Sequence, residues 1–97
     1  MIQIKQSDLE DFCKKNDIGF LGMFGSGARG DFRASSDVDL LIRYNRPKGL
    51  FEHSGIALEL EEMLGRKVDL VTDGALSKYI RANVYKDLKP LYGKQIS

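Results

Sequence analysis

Two aspartates, Asp37 and Asp39, follow the pair Gly25-Ser26 after an interval of ten residues, and these four positions are where the sequence can do chemistry. The run Asp37-Val38-Asp39-Leu40-Leu41-Ile42-Arg43-Tyr44 reads as a strand. Residues two apart on a strand share a face, so Asp37 and Asp39 point the same way about 7 Å apart, while Val38, Leu40 and Ile42 turn into a core. Carboxylates that close repel each other unless a cation lies between them. Ahead of them, Gly25 frees the backbone and Ser26 can cap a short helix. A helix start of that kind aims unpaired N–H groups and a positive dipole end at an anion such as a phosphate. Hard oxygen donors beside a phosphate-binding turn suit Mg²⁺, which binds through one or two carboxylates together with substrate phosphates.

Other chemistries fit less well. Gly25-Ser26-Gly27-Ala28-Arg29-Gly30 also spells the G-x-G-x-x-G dinucleotide fingerprint, but only Asp31 to Ser36 separate it from the next strand, too few residues for a full crossover helix. A kinase would need a P-loop lysine, which is missing, and the aspartate pair stands in its place. The one histidine, His53, has no cysteine or histidine partners in sequence and reads as a surface helix residue, not a zinc ligand.

The spacing Gly25-Ser26, ten residues, Asp37-Val38-Asp39 resembles the signature of the DNA polymerase beta-type nucleotidyltransferase superfamily. Lys67-Val68-Asp69-Leu70-Val71 offers Asp69 as the third carboxylate that this superfamily carries on a later strand. The short chain and the Gly-Ser-x-Ala-Arg-Gly form are similar to the minimal nucleotidyltransferases, many of which are antitoxins paired with HEPN ribonuclease toxins. The resemblance implies a site of Asp37, Asp39 and Asp69 holding two Mg²⁺ ions, with Gly25, Ser26 and Arg29 on the triphosphate and ATP as substrate. It implies transfer of AMP to a hydroxyl, such as that of a tyrosine, on a partner HEPN toxin. The alternative from another class is a silent antitoxin that neutralises its partner by occlusion alone, and the complete carboxylate set argues against it.

Composition narrows the setting. With 97 residues the chain reads as a single minimal nucleotidyltransferase domain spanning 1–97. Its 15 Lys and Arg nearly cancel its 14 Asp and Glu, so no strong field draws it to nucleic acid or to an anionic membrane, and direct nucleic-acid binding is not expected. No apolar run has the length of a membrane span, the stretch Met1-Ile2-Gln3-Ile4-Lys5-Gln6 lacks the apolar core that a signal peptide carries, and the lone Cys13 reads as a buried thiol; the expected location is the cytoplasm.

The elements that must position the site can be read from periodicity. A helix from Asp8 to Lys15 is expected, with Ser7 and Glu10 as a capping box. Ile18 to Phe24 reads as a buried strand, and Leu50 to Leu64 as a helix with Ile56, Leu60, Met63 and Leu64 inside, Glu59, Glu61 and Glu62 outside, and Gly65 as its C′ residue. Arg66 to Val71 reads as a third strand. A last helix beginning at Asp73 or Ser77 should bury Leu76, Ile80 and Val84 and stop before Pro90, with Leu91 and Tyr92 packed back on the sheet. The expected architecture is α/β (α+β), a small mixed sheet of three or more strands with helices mainly on one face: a polymerase beta-like nucleotidyltransferase fold.

Overall fold

The computed structural model describes residues 4–25 and 37–93. Its elements are α1 (Gln6–Lys15), β1 (Ile18–Phe24), β2 (Val38–Tyr44), α2 (Leu50–Leu64), β3 (Val68–Thr72), a 3₁₀ turn (Asp73–Ala75), α3 (Lys78–Asp87) and β4 (Lys89–Gly93). The sheet runs β3-β2-β1-β4. β1 is antiparallel to both β2 and β4, whereas β2 and β3 are parallel. Parallel neighbours need a crossover, and α2 supplies it.

Strand alternation divides the buried side chains into two groups. Val38, Leu40 and Ile42 of β2 meet Leu9, Phe12 and Cys13 of α1 and Ile56 and Leu60 of α2. Leu41, their neighbour in sequence, faces the other way and packs with Phe20, Leu76 and Val84, the last on α3. Two helices therefore cover one face and one covers the other. A bulge at Gly19 reconciles β1 with this division: Ile18 pairs with Tyr44 and Phe20 with Arg43, leaving Gly19 unmatched. Ile18 and Leu21, three apart, thus reach the same face.

Several local expectations change. α1 begins at Gln6 with Lys5 as N-cap and no side-chain cap, so Ser7 lies inside the helix and the capping box does not form. Ile80 is 50 % exposed, because α3 meets the sheet through Val84 and the half-buried Tyr85, with Leu88 packing just past its end. Pro90 does not merely follow a helix; it lies within β4, where Leu91 and Tyr92 also sit. An outer strand tolerates proline because one side of its backbone has no ladder to complete. Gly65 closes α2 as expected, at φ +67° with its N–H on Glu61 O at 2.8 Å.

Two polar clusters hold the connections. Asp17, at φ +56°, accepts Asn45 N–H on its backbone oxygen at 2.7 Å and Arg46 Nη2 on its carboxylate at 2.6 Å. Lys48 joins at 3.2 Å, and the hydrogen bonds from Arg46 and then Lys48 hold the Asp17 carboxyl below its ordinary range. Beyond β3, Arg81 Nη1 donates to Asp73 Oδ1 at 3.1 Å and the Tyr85 hydroxyl donates to the same oxygen, pinning α3 over the sheet. Among the described residues no helix is long and apolar enough to cross a membrane.

Candidate active site

The site is built where β1 ends and where β2 and β3 begin. Asp39 is in register with Phe24 of β1 on one side and with Asp69 of β3 on the other. Parallel strands lie about 4.8 Å apart, so two residues in register present their side chains to the same face at neighbouring positions. Asp37, two residues before Asp39, belongs to that face as well. The ladder continues toward it, since Val38 N–H donates to Lys67 O at 2.9 Å. The apolar residues between the aspartates, Val38 and Leu40 in β2 and Val68 and Leu70 in β3, turn to the opposite face and fasten both strands there.

Gly25 completes the corner. Its φ of +75° is open to glycine at little cost, and a Cβ there would fall on Asp39 Oδ2, with the carboxyl carbon only 3.3 Å away. The Asp39 carboxylate thus occupies space that any other residue at position 25 would fill. Asp39 is half-buried while Asp37 and Asp69 are exposed. Burial first, then the charges of Asp69 and Asp37, raise the Asp39 carboxyl above its ordinary range.

The donor set suits a hard divalent cation. Among the described residues no three His, Cys, Asp or Glu side chains close around an ion by themselves. An open group of carboxylates is nevertheless the form Mg²⁺ uses, because it keeps waters and completes its octahedron with substrate phosphates. The structure places Asp37, Asp39, Asp69 and Gly25 at one corner, with Asp69 directed away from the core filled by Val68 and Leu70. The expected phosphate contacts at Ser26 and Arg29 lie outside the described residues.

Sequence reading missed two polar residues beside the site. His53 is not a plain surface residue: Nε2 lies 3.1 Å from Leu70 O and Nδ1 lies 2.8 Å from the Tyr44 hydroxyl. Glu61 is not a solvent-facing charge, since its Oε2 accepts Val68 N–H at 3.0 Å. Helical spacing held the clue, because His53 and Glu61 flank the buried Ile56 and Leu60 on the stripe that faces the sheet.

The described residues form a four-stranded mixed sheet with three α-helices and an aspartate-lined corner at one end, the architecture of a minimal nucleotidyltransferase. The chain belongs to the nucleotidyltransferase domain family, which matches it over residues 7–91. It is similar to a protein of Thermococcus cleftensis named protein adenylyltransferase MntA, with 34% identity over 68 residues, or 70% of this chain and 69% of that protein. Among solved structures, a toxin-antitoxin complex with AMP-PNP contains a chain that superposes with a TM-score of 0.77 at 22% identity, covering 95% of this chain and 76% of that one. A Shewanella oneidensis complex of a tri-AMPylated HEPN toxin with an MNT antitoxin contains a chain that superposes at 0.67 with 20% identity, covering 92% and 70%.

Proposed function

We propose that this protein is an antitoxin that transfers AMP from Mg²⁺-ATP to a hydroxyl, such as that of a tyrosine, on a partner HEPN toxin. The observation that carries the reading is the register of Asp39 with Asp69, beside Asp37 on the same face and with Gly25 held open against the Asp39 carboxylate. Protein adenylyltransferase is the name of a 34%-identical relative, and an AMPylated HEPN toxin accompanies a chain of this fold. The chain acts as one domain in the cytoplasm, a setting consistent with its single, buried cysteine.

Asp37 and Asp39 would hold two Mg²⁺ ions, with Asp69 on the ion nearer the acceptor. Bound there, Mg²⁺ would offset the charge of the triphosphate and of the departing pyrophosphate. The chain's own contribution is placement. The open backbone at Gly25 lets phosphate oxygens approach the end of β1, with Ser26 and Arg29 as further contacts. Asp69 orients the acceptor hydroxyl and takes its proton as the oxygen bonds to the α-phosphorus. The bond from that phosphorus to the β-phosphate oxygen breaks, and pyrophosphate leaves. An AMP on the toxin adds a phosphodiester charge and a bulky nucleoside where RNA must enter.

Catalysis requires little antitoxin, whereas occlusion requires one copy per toxin. A sub-stoichiometric amount of the protein with Mg²⁺-ATP is expected to raise the partner's mass by AMP units and silence its ribonuclease, and Asp37→Ala with Asp39→Ala to do neither. Full protection by the double variant without a mass shift would establish occlusion instead.

A further inference from the structure

Among the described residues β3 is an outer strand, and the two residues on either side of Asp69 are each fastened by a side chain from α2. The peptide between Lys67 and Val68 is held from both directions: its carbonyl accepts Val38 N–H at 2.9 Å, and its N–H donates to Glu61 Oε2 at 3.0 Å. Two residues on, Leu70 O lies 3.1 Å from His53 Nε2. A carbonyl only accepts, so Nε2 carries the hydrogen, and in the neutral ring Nδ1 accepts from the Tyr44 hydroxyl at 2.8 Å. The Tyr44 ring meets the imidazole edge-on, with centroids 5.9 Å apart. The histidine thereby joins the far end of β2 to β3, while Glu61 closes the near end.

An unpaired outer edge can shift or fray, because its N–H and C=O groups have no neighbouring strand to hold them. Here the edge is held at the positions flanking one residue, and that residue is Asp69. We propose that Glu61 and His53 are positioning residues for Asp69: by clamping the outer edge of β3 on both sides of it, they hold its carboxylate in register with Asp39. The inference rests on the reading of Asp69 as a member of the metal-nucleotide site. It goes beyond that reading by assigning a role to two residues that bond the backbone of β3 at Val68 and Leu70. Supports that orient a metal ligand from behind commonly alter affinity by 10- to 100-fold when removed.

The test compares wild type with Glu61→Ala, Glu61→Gln, His53→Ala, His53→Gln and Asp69→Asn. Two quantities are read: hydrogen exchange at the Val68 amide, and the Mg²⁺ concentration that half-saturates ATP binding in titration calorimetry. Glu61→Ala is expected to speed Val68 exchange by about tenfold or more and raise half-saturating Mg²⁺ by a similar factor, with metal-free ATP binding unchanged. Glu61→Gln restores both to within about twofold, because an amide oxygen still accepts the Val68 N–H. His53→Ala raises the Mg²⁺ requirement in the same direction, and His53→Gln, which keeps a donor toward Leu70 O, recovers part of it. Should Glu61→Ala not fold, the His53 pair carries the same comparison. A wild-type Mg²⁺ requirement in Glu61→Ala and His53→Ala, with Asp69→Asn impaired, overturns the clamp while leaving the site intact. An Asp69→Asn variant that binds Mg²⁺-ATP as wild type does would overturn the site assignment itself.

Discussion

Leu40 and Leu41 are neighbours in β2, both sealed from solvent, yet they belong to different halves of the molecule. Leu40 looks into the apolar layer between the sheet and α1 and α2; Leu41 looks into the smaller group beneath α3, on the face that also carries Asp37, Asp39 and Asp69. β1 and β3 likewise divide their apolar residues between the two groups, and in β2 and β3 the second face carries both packing and the acids. The strands beneath the three aspartates are fastened from behind. Val38, Leu40, Val68 and Leu70 supply that fastening at the positions beside the acids.

Two shifted groups, one from each face, show the same contrast. Cys13 lies in the apolar layer, and burial alone pushes its thiol up to about 12. Asp39 is raised by burial and also by the charges of Asp69 and Asp37. The first environment is dry; the second is electrostatically crowded and suited to receive a cation.

The sharpest way to break this division is to shorten both leucines. Leu40→Ala is expected to cost about 3–5 kcal/mol, since the surrounding helices cannot collapse into the hole, and Leu41→Ala nearer 2 kcal/mol, since the smaller group can relax. Urea unfolding of the two variants measures the difference, and equal losses would show that the faces carry equal weight. Mg²⁺-ATP binding should follow the reverse order at equal folded fraction. Leu41→Ala disturbs it more, because Leu41 shares the face of Asp39, and Leu40→Ala, which loosens β2 only from behind, lowers it less.

Gly25→Ala is a smaller perturbation, confined to the site. Holding alanine at the left-handed φ costs about 1–2 kcal/mol, and the new methyl group strikes the Asp39 carboxylate. Mg²⁺-dependent ATP binding is expected to fall by about tenfold or more while the melting temperature drops only a few degrees. Wild-type binding by this variant would remove Gly25 from the account of the corner.

Much of this was legible in the sequence, for identifiable reasons. The acid positions could be read because strand alternation forces Asp37 and Asp39 onto one face, and α2 because Ile56, Leu60 and Gly65 mark its stripe and its end. β4 was hidden by Pro90, which reads as a helix stop wherever the sheet edge is not yet known. Ile80 was misplaced because its spacing from Leu76 and Val84 is helical, whereas Leu76 precedes α3 and the helix does not begin until Lys78. His53 and Glu61 were read as surface groups because a free strand edge is a property of the assembled sheet. No spacing within α2 announces that a backbone N–H and a carbonyl wait opposite it.

The smallest effect concerns the dry face and can be read from pH alone. In the unfolded chain the Cys13 thiol ionises near 9.0, whereas in the folded protein burial delays ionisation to about 12. Between those values the native state holds a proton that the unfolded state has released, so stability falls as pH rises, by at most about 1.4 kcal/mol per pH unit. Above pH 10 Tyr44 adds to the decline in the same direction, because burial and then the Glu52 charge push its phenol up to about 12. Urea unfolding at pH 9.0, 9.5 and 10 should therefore show wild type losing stability relative to Cys13→Ala, whose curve is expected to stay flatter until Tyr44 begins to titrate. Cysteine-directed reagents at pH 8 should label the native thiol only as fast as the protein opens. Parallel stability curves for wild type and Cys13→Ala, together with rapid labelling, would mean that water reaches the layer beneath α1 and that the two faces are less different than their side chains suggest.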